Sequence, residues 1–392
     1  MKMGLALLCA AYVLSQFFRA FLAVMTTSLQ RDLGATPDDL AFASGMWFLV
    51  FALMQIPIGE ALDRVGPRLT ASVLLAIGGG GGAALFAMAT TPAHVSVAMA
   101  LIGVGCAPVL MGSYYIFARM FPPAMFATLG AAMIGVGSIG NLASAAPMAW
   151  AVEMFGWRET LWGLAGVSIL VALGVWALVQ DPPRVEGANK GSALAVLRIP
   201  ALWLILPLLA VNYAPAAGLR GLWVGPYLSD VYGATAQVIG TATLIMGAAM
   251  VFSAFAYGPL DRLLGTRKWV VVAGNTAGAL GCVVLAFLPE AGYWPSVVLC
   301  TTVAMFGMTY PVIMAHGRSF LPAHLTGRGV TLMNLFSIGG VGLFQVVTGR
   351  LYAQSAAVTE NPVDPYQVLF AFFAAILLLG MVPYLFARDR LD

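Results

Sequence analysis

The chain has 392 residues, of which 61% are hydrophobic and only 9% charged, with a net charge of +3. An ordinary soluble domain carries about 25% charged residues, so these side chains are too few to cover a globular surface, and so apolar a chain does not stay disordered. The small net charge and the lack of a basic run of five exclude a nucleic-acid partner, and a polytopic protein dissolved in a lipid bilayer is predicted. Cys9, Cys106, Cys282 and Cys300 all sit in apolar runs without a CxxC pair. They read as small core residues, and neither a metal site nor a cofactor is expected.

In chain order, Lys2 opens an apolar stretch that runs past Arg19 to Leu29 with no small-residue cleavage site. It reads as a retained first helix rather than a signal peptide. Hydropathy then marks further segments near 40–62, 69–90, 95–118, 125–150 and 160–180. A second set lies near 200–227, 235–259, 269–288, 294–317, 328–352 and 366–387. Spanning takes about 20 apolar residues as a helix, which satisfies its own backbone in lipid. Alternating ten-residue β-barrel segments are missing. The longest polar stretch, 181–199, falls at the centre and reads as a cytoplasmic linker between halves 1–180 and 200–392. The expected fold is all-α, with twelve transmembrane helices in two pseudo-symmetric six-helix halves.

Basic residues set the orientation. With both termini in the cytoplasm, fourteen face inward: Lys2, Arg64, Arg68, Arg119, Arg184, Lys190, Arg198, Arg262, Arg267, Lys268, Arg318, Arg328, Arg388 and Arg390. Three, Arg31, Arg158 and Arg350, face outward. The positive-inside rule therefore places both termini inside a cytoplasmic (inner) membrane.

The halves repeat. A shift of 199 residues carries Gly59, Gly66 and Arg68 onto Gly258, Gly265 and Arg267, and Arg119, Phe121 and Pro123 onto Arg318, Phe320 and Pro322. It also carries Gly130, Ser138, Ile139 and Gly140 onto Gly329, Ser337, Ile338 and Gly339. Matches at equivalent places in the topology imply duplication, the architecture of many secondary transporters.

The loop after the second helix reads GEALDRVGPR (59–68), and the loop after the eighth reads GPLDRLLGTRK (258–268). Here the chain resembles the major facilitator superfamily, whose loop signature is G-x-x-x-D-R-x-G-R/K-R/K. Pro67 replaces one basic residue in the first copy, and the second is shifted by one residue before Asp261. FGWRETLWGLAG (155–166) is similar to the same superfamily. The resemblance implies a gating motif of Gly59, Asp63, Arg64, Arg68, Arg119, Asp261, Arg262, Arg267 and Arg318. Glycines allow the tight turn, and Asp63 is expected beside a positive helix N-terminus, holding the cytoplasmic side shut.

All sixteen acidic residues are predicted in loops or at helix ends. The two mid-span charges are Arg19 and Arg220, in the first helix of each half. Each would cost about 2.5–3.5 kcal/mol at a helix centre, so such residues tend to face a cavity and to serve a function. Tyr12 and Tyr213 each stand seven residues, about two turns, before the arginine, which puts each pair on one face. Gln16 extends the first stripe and Trp223 the second. Trp47, Tyr114, Tyr115, Asn141, Tyr310, Asn334 and Gln345 are further polar groups able to line a cavity. One planar or tetrahedral anion bridging both guanidiniums is the expected substrate. An arginine in the first helix of each half is also similar to the organophosphate:phosphate antiporters and related organic-anion carriers. The histidine in helix 5 and lysine in helix 2 of that branch are missing.

The expected activity is alternating-access transport of a small carboxylate, phosphate or sulfonate, by exchange or by symport with a proton or sodium ion, in a functional monomer. A proton-coupled drug exporter lacks its buried carboxylate and its helix-4 arginine motif, since LIGVGCAP (101–108) stands there. A copper importer would rest on Met246 and Met250. A transporter-like membrane receptor lacks a signalling domain. No HExxH or GxSxG motif suggests an enzyme. GVGSIG (135–140) and the glycines at 78–82 read as close helix packing.

Overall fold

The computed structural model describes residues 2–121, 123–183, 193–322 and 326–391. Among these residues there are helices and turns and no strand. The chain divides into two compact units, Met1–Ala188 and Asn189–Asp392.

The first unit holds α1 (Lys2–Phe17), α2 (Pro37–Arg64), α3 (Pro67–Ala87), α4 (Pro92–Met120), α5 (Pro123–Ala143, continued by Ala146–Phe155) and α6 (Trp157–Leu178). The second holds α7 (Pro200–Tyr232), α8 (Ala236–Leu264), α9 (Lys268–Phe287), α10 (Tyr293–Arg318), α11 (Thr326–Ala356) and α12 (Asp364–Tyr384). Among the described residues, ten continuous helices are long and apolar enough to cross a bilayer. The pieces of α5 make an eleventh with a 41° bend, and α1 is a shorter apolar helix. α1 is extended beyond Phe17 by a 3₁₀ turn, Phe21–Val24, and a last helical stretch, Thr26–Leu33.

Local chemistry sets the ends. Thr36 and Asp39 form a reciprocal capping box, with Pro37 at the first helical position of α2. Both donors at that end are thereby satisfied. The loops into α3 and α9 turn on Gly66 (φ 105°) and Gly265 (φ 65°), a region that favours glycine. In FGWRET, the Trp157 indole donates to Asp32 at 2.9 Å, and Arg158 donates to the carbonyls of Ala87 and Ala89 at 2.8 Å. Arg158 thus satisfies carbonyls left open at the C-terminus of α3. Hydrogen bonds from Arg31 first and Trp157 second hold the exposed Asp32 carboxyl below its ordinary range.

Glycine governs the closest helix contacts. A Cβ at Gly140 would lie 1.9 Å from the Val13 carbonyl oxygen, so α5 lies almost on the backbone of α1. Gly340 repeats this against the Ala210 carbonyl, also at 1.9 Å, where α11 meets α7. The glycine that makes this contact in the second half is thus one residue past Gly339, the match given by the shift of 199. Gly78 and Gly82 let α3 approach α4 at Gly105 and Ile102. Leu170, Leu173 and Trp176 of α6, and Phe252 and Phe255 of α8, are exposed. Such wide apolar belts suit lipid contact rather than water.

Candidate functional site

Both arginines lie where the first helix of their half is interrupted. Regular α1 ends at Phe17, and Arg19 stands in the turn that follows. Arg220 stands in a π-helical segment, Leu219–Trp223, within α7. The sequence predicts Arg19 mid-helix with Tyr12 two turns below it on one face; the break at 18–20 removes that periodicity. Interruptions of this kind free backbone groups and are frequent at functional sites.

Arg19 is half-buried, and its guanidinium carbon lies 5.4 Å from the Trp47 ring centre and 5.2 Å from that of Phe51. Those two rings stack at 5.0 Å. Aromatic faces attract a cation without using its N–H donors, and the buried Arg19 Nε has no hydrogen-bond partner. Gln16, one turn before Arg19, is buried with its Oε1 unpartnered. Tyr12 is placed elsewhere: its ring packs against Gly137 of α5, beside Tyr114.

Arg220 is 4% exposed. Its guanidinium lies against Gly247 of α8, where an added Cβ would come within 2.9 Å of Nη2. Tyr213 is close enough to interact with it electrostatically. Trp223 is committed to α11, donating to the Thr348 hydroxyl at 3.0 Å and packing on Tyr352. Tyr213 and Tyr310 sit with ring centres 6.2 Å apart, and the Tyr310 hydroxyl donates to Asn334 at 2.8 Å. Tyr114 packs beside Phe117 of α4, with ring centres 6.3 Å apart, and Asn141 also has an interaction of its own. Gln345 is buried on α11 with neither amide atom partnered.

Sequence reasoning missed three groups. Gln55 is a buried polar residue in the middle of α2, visible as an isolated amide in an apolar run. Asn212, Asn275 and Thr309 form a buried cluster across α7, α9 and α10. In it Asn212 donates to Asn275 at 2.7 Å and to Thr309 at 2.8 Å. The third group is a pair of carboxylates at the loop motifs. Asp181, after α6, accepts from the Arg68 backbone N–H at 2.8 Å. Asp389, after α12, accepts from the backbone N–H groups of Arg267 and Lys268. Each therefore seats a negative charge at a helix N-terminus, of α3 and α9 respectively.

That role was expected of Asp63. The side chains of Asp63 and Arg262 lie outside the described residues. For the rest of the motif, Arg64 pairs with Glu60 at 2.6 Å in solvent, Arg267 pairs with the buried Asp261 at 2.9 Å, and Arg119 lies 3.9 Å over the Tyr115 ring. Gly59 lies within α2 rather than in the loop, so the tight turn falls on Gly66 alone, and Arg318 is an exposed charge. Burial pushes the Asp389 carboxyl up, and hydrogen bonds from Thr266 and the two backbone N–H groups outweigh it, leaving the group below its ordinary value. His316 is buried, with Nε2 on the Arg388 carbonyl and Nδ1 on the Tyr384 hydroxyl, so it ties α10 to α12 and the C-terminal tail.

Repeated six-helix units, interrupted first helices carrying arginines and duplicated loop motifs define a membrane transporter rather than an enzyme. The chain belongs to the Major Facilitator Superfamily, whose family model matches residues 8–222 and 213–392. It is similar to a putative tartrate transporter of Agrobacterium vitis, at 23% identity over 85% of this chain and 80% of the relative. A D-galactonate transporter of Escherichia coli O6:H1 is 30% identical over 44% of this chain and 40% of its own. A probable L-galactonate transporter of Escherichia coli K12 is 24% identical over 88% and 82%. Among solved structures, a bacterial homolog of the human lysosomal transporter Spinster, inward-facing and unoccupied, superposes with a TM-score of 0.80 at 18% identity, covering 98% of this chain and 96% of that one. That likeness establishes the fold alone.

Proposed function

We propose that the protein is a secondary carrier of small organic acids, with Arg19 and Arg220 each contributing a guanidinium to the transported anion. The single observation that carries this reading is Arg19: a buried Nε–H without a partner, on a side chain resting against two aromatic rings that leave its donors open. A carboxylate satisfies such a group with charge-assisted hydrogen bonds. The relatives named for tartrate and galactonate transport support a carboxylate over a phosphate or sulfonate. We read the carrier as a multi-pass monomer of the cytoplasmic (inner) membrane with both termini inside. It works by alternating access, as an exchanger or with a coupling proton or sodium ion, since an empty carrier with two arginines inside its membrane spans would reorient poorly.

Thermal melting of the purified protein against tartrate, galactonate, succinate, phosphate and a sulfonate tests this, because a ligand of the folded state raises its stability by mass action. Carboxylates are expected to raise the melting temperature, and Arg19→Gln and Arg220→Gln to abolish the rise while leaving the unliganded protein folded. Unchanged stabilisation of both variants would refute the site.

A further inference from the structure

The surroundings of Arg19 contain more than a cation. Gln55 is 3% exposed and lies one helical turn beyond Phe51 and two beyond Trp47, on the stripe of α2 that faces Arg19. Its Nε2 donates to the backbone carbonyls of Phe51 at 3.3 Å and of Ala107 in α4 at 3.5 Å. Carbonyls only accept, so these two partners fix which end of the amide is nitrogen. The oxygen is thereby turned away from them, and Gln55 Oε1 is buried with no hydrogen-bond partner. Cys106, next to Ala107, stands beside Ser15, Arg19 and Trp47, so α1, α2 and α4 meet at this point.

Three buried polar atoms without partners therefore lie on α2 and the α1 segment: Arg19 Nε, which donates, and Gln16 Oε1 and Gln55 Oε1, which accept. A buried unpartnered polar atom costs about 1–3 kcal/mol, so a ligand that completes all three gains what the empty protein lacks. A bare carboxylate cannot do so. It has only acceptor oxygens, which suit Arg19 and are repelled by the two glutamine oxygens. A ligand with hydroxyl hydrogens close to its carboxylate matches both sets.

Resting on the organic-acid reading above, we propose that Gln55, with Gln16 beside it, accepts hydrogen bonds from substrate hydroxyl groups and makes the carrier selective for hydroxy acids over the same acids without hydroxyls. A site built to bond a hydroxyl rejects the analogue that lacks it, because its own polar group is then left buried and unpaired. Gln55 is thus a specificity-determining residue distinct in role from Arg19, which reads only the charge.

The experiment uses the purified full-length protein and two matched pairs of probes: L-tartrate with succinate, and D-galactonate with hexanoate. The wild type is expected to bind the hydroxylated member of at least one pair at least tenfold more tightly. In Gln55→Leu that ratio collapses to about one, the deoxy acid keeps its wild-type affinity, and the unliganded melting temperature changes little, since removing an orphaned acceptor offsets the two long hydrogen bonds lost from Nε2. A fall in melting temperature with the ratio unchanged would make Gln55 a structural clamp and overturn the proposal. Gln55→Met gives the same readout should the leucine variant fold poorly. Arg19→Gln separates the two readings. If it abolishes binding of every acid while Gln55→Leu leaves selectivity intact, the organic-acid reading stands and the hydroxyl reading falls. If the wild type binds none of the four acids, both fall.

Discussion

The surroundings of Arg19 and Arg220 differ although their places in the fold are alike. Each arginine stands at a break in the first helix of its half, and in each half a glycine on the fifth helix presses on the first. Around Arg19 the second helix presents Trp47, Phe51 and Gln55. The shift of 199 puts Met246, Met250 and Ala254 at those places in α8, and Arg220 lies instead over the bare backbone of Gly247. Duplication has therefore kept the scaffold, which packing constrains, and let the groups around the charge diverge. One arginine rests against ring faces; the other occupies space that a missing side chain leaves open.

That contrast can be broken most directly at the charges. Arg19→Gln and Arg220→Gln should each remove about 3 kcal/mol of binding, more than a hundredfold in affinity, measured by titration of a carboxylate probe. If only one variant loses binding, the two arginines are not equivalent partners of the anion. Gly247→Val probes the second half alone. Its side chain would enter the space of the Arg220 guanidinium, the far end of a flexible side chain, so folding should survive while affinity falls about tenfold, roughly 1.4 kcal/mol. The same change at Gly140, against backbone, should prevent folding instead.

Phe51→Leu probes the first half, removing one ring beneath Arg19 and weakening binding by about 1 kcal/mol, the size of a cation–π contact. The smallest effect concerns the loops. Asp389→Asn should cost about 0.5 kcal/mol, at the low end for a cap because the carboxylate is exposed. The Asp389 carboxyl is depressed in the folded protein. Its contribution is therefore present above the unfolded value near 3.9 and is lost as pH falls below it through the folded value. Melting curves of wild type and Asp389→Asn should differ at pH 7 and converge towards pH 3; a constant gap would remove the carboxylate charge from the account.

What the sequence by itself determined is whatever depends on composition and on neighbours along the chain. Sparse charge and segments of about 20 apolar residues require lipid-spanning helices. Loop motifs and matched glycines expose the repeat, and the rarity of mid-span charge singles out Arg19 and Arg220. Only the tertiary structure decided that regular α1 stops at Phe17, that Tyr12 packs on Gly137 and Trp223 on Thr348, and that Asp181 and Asp389 reach the ends of α3 and α9 from more than a hundred residues away. Gln55 was readable as a polar residue in lipid, but not as an amide whose nitrogen is spent and whose oxygen is left over. Hydrogen-bond satisfaction is settled by contacts between distant segments, and no local pattern records which half of an amide those contacts use.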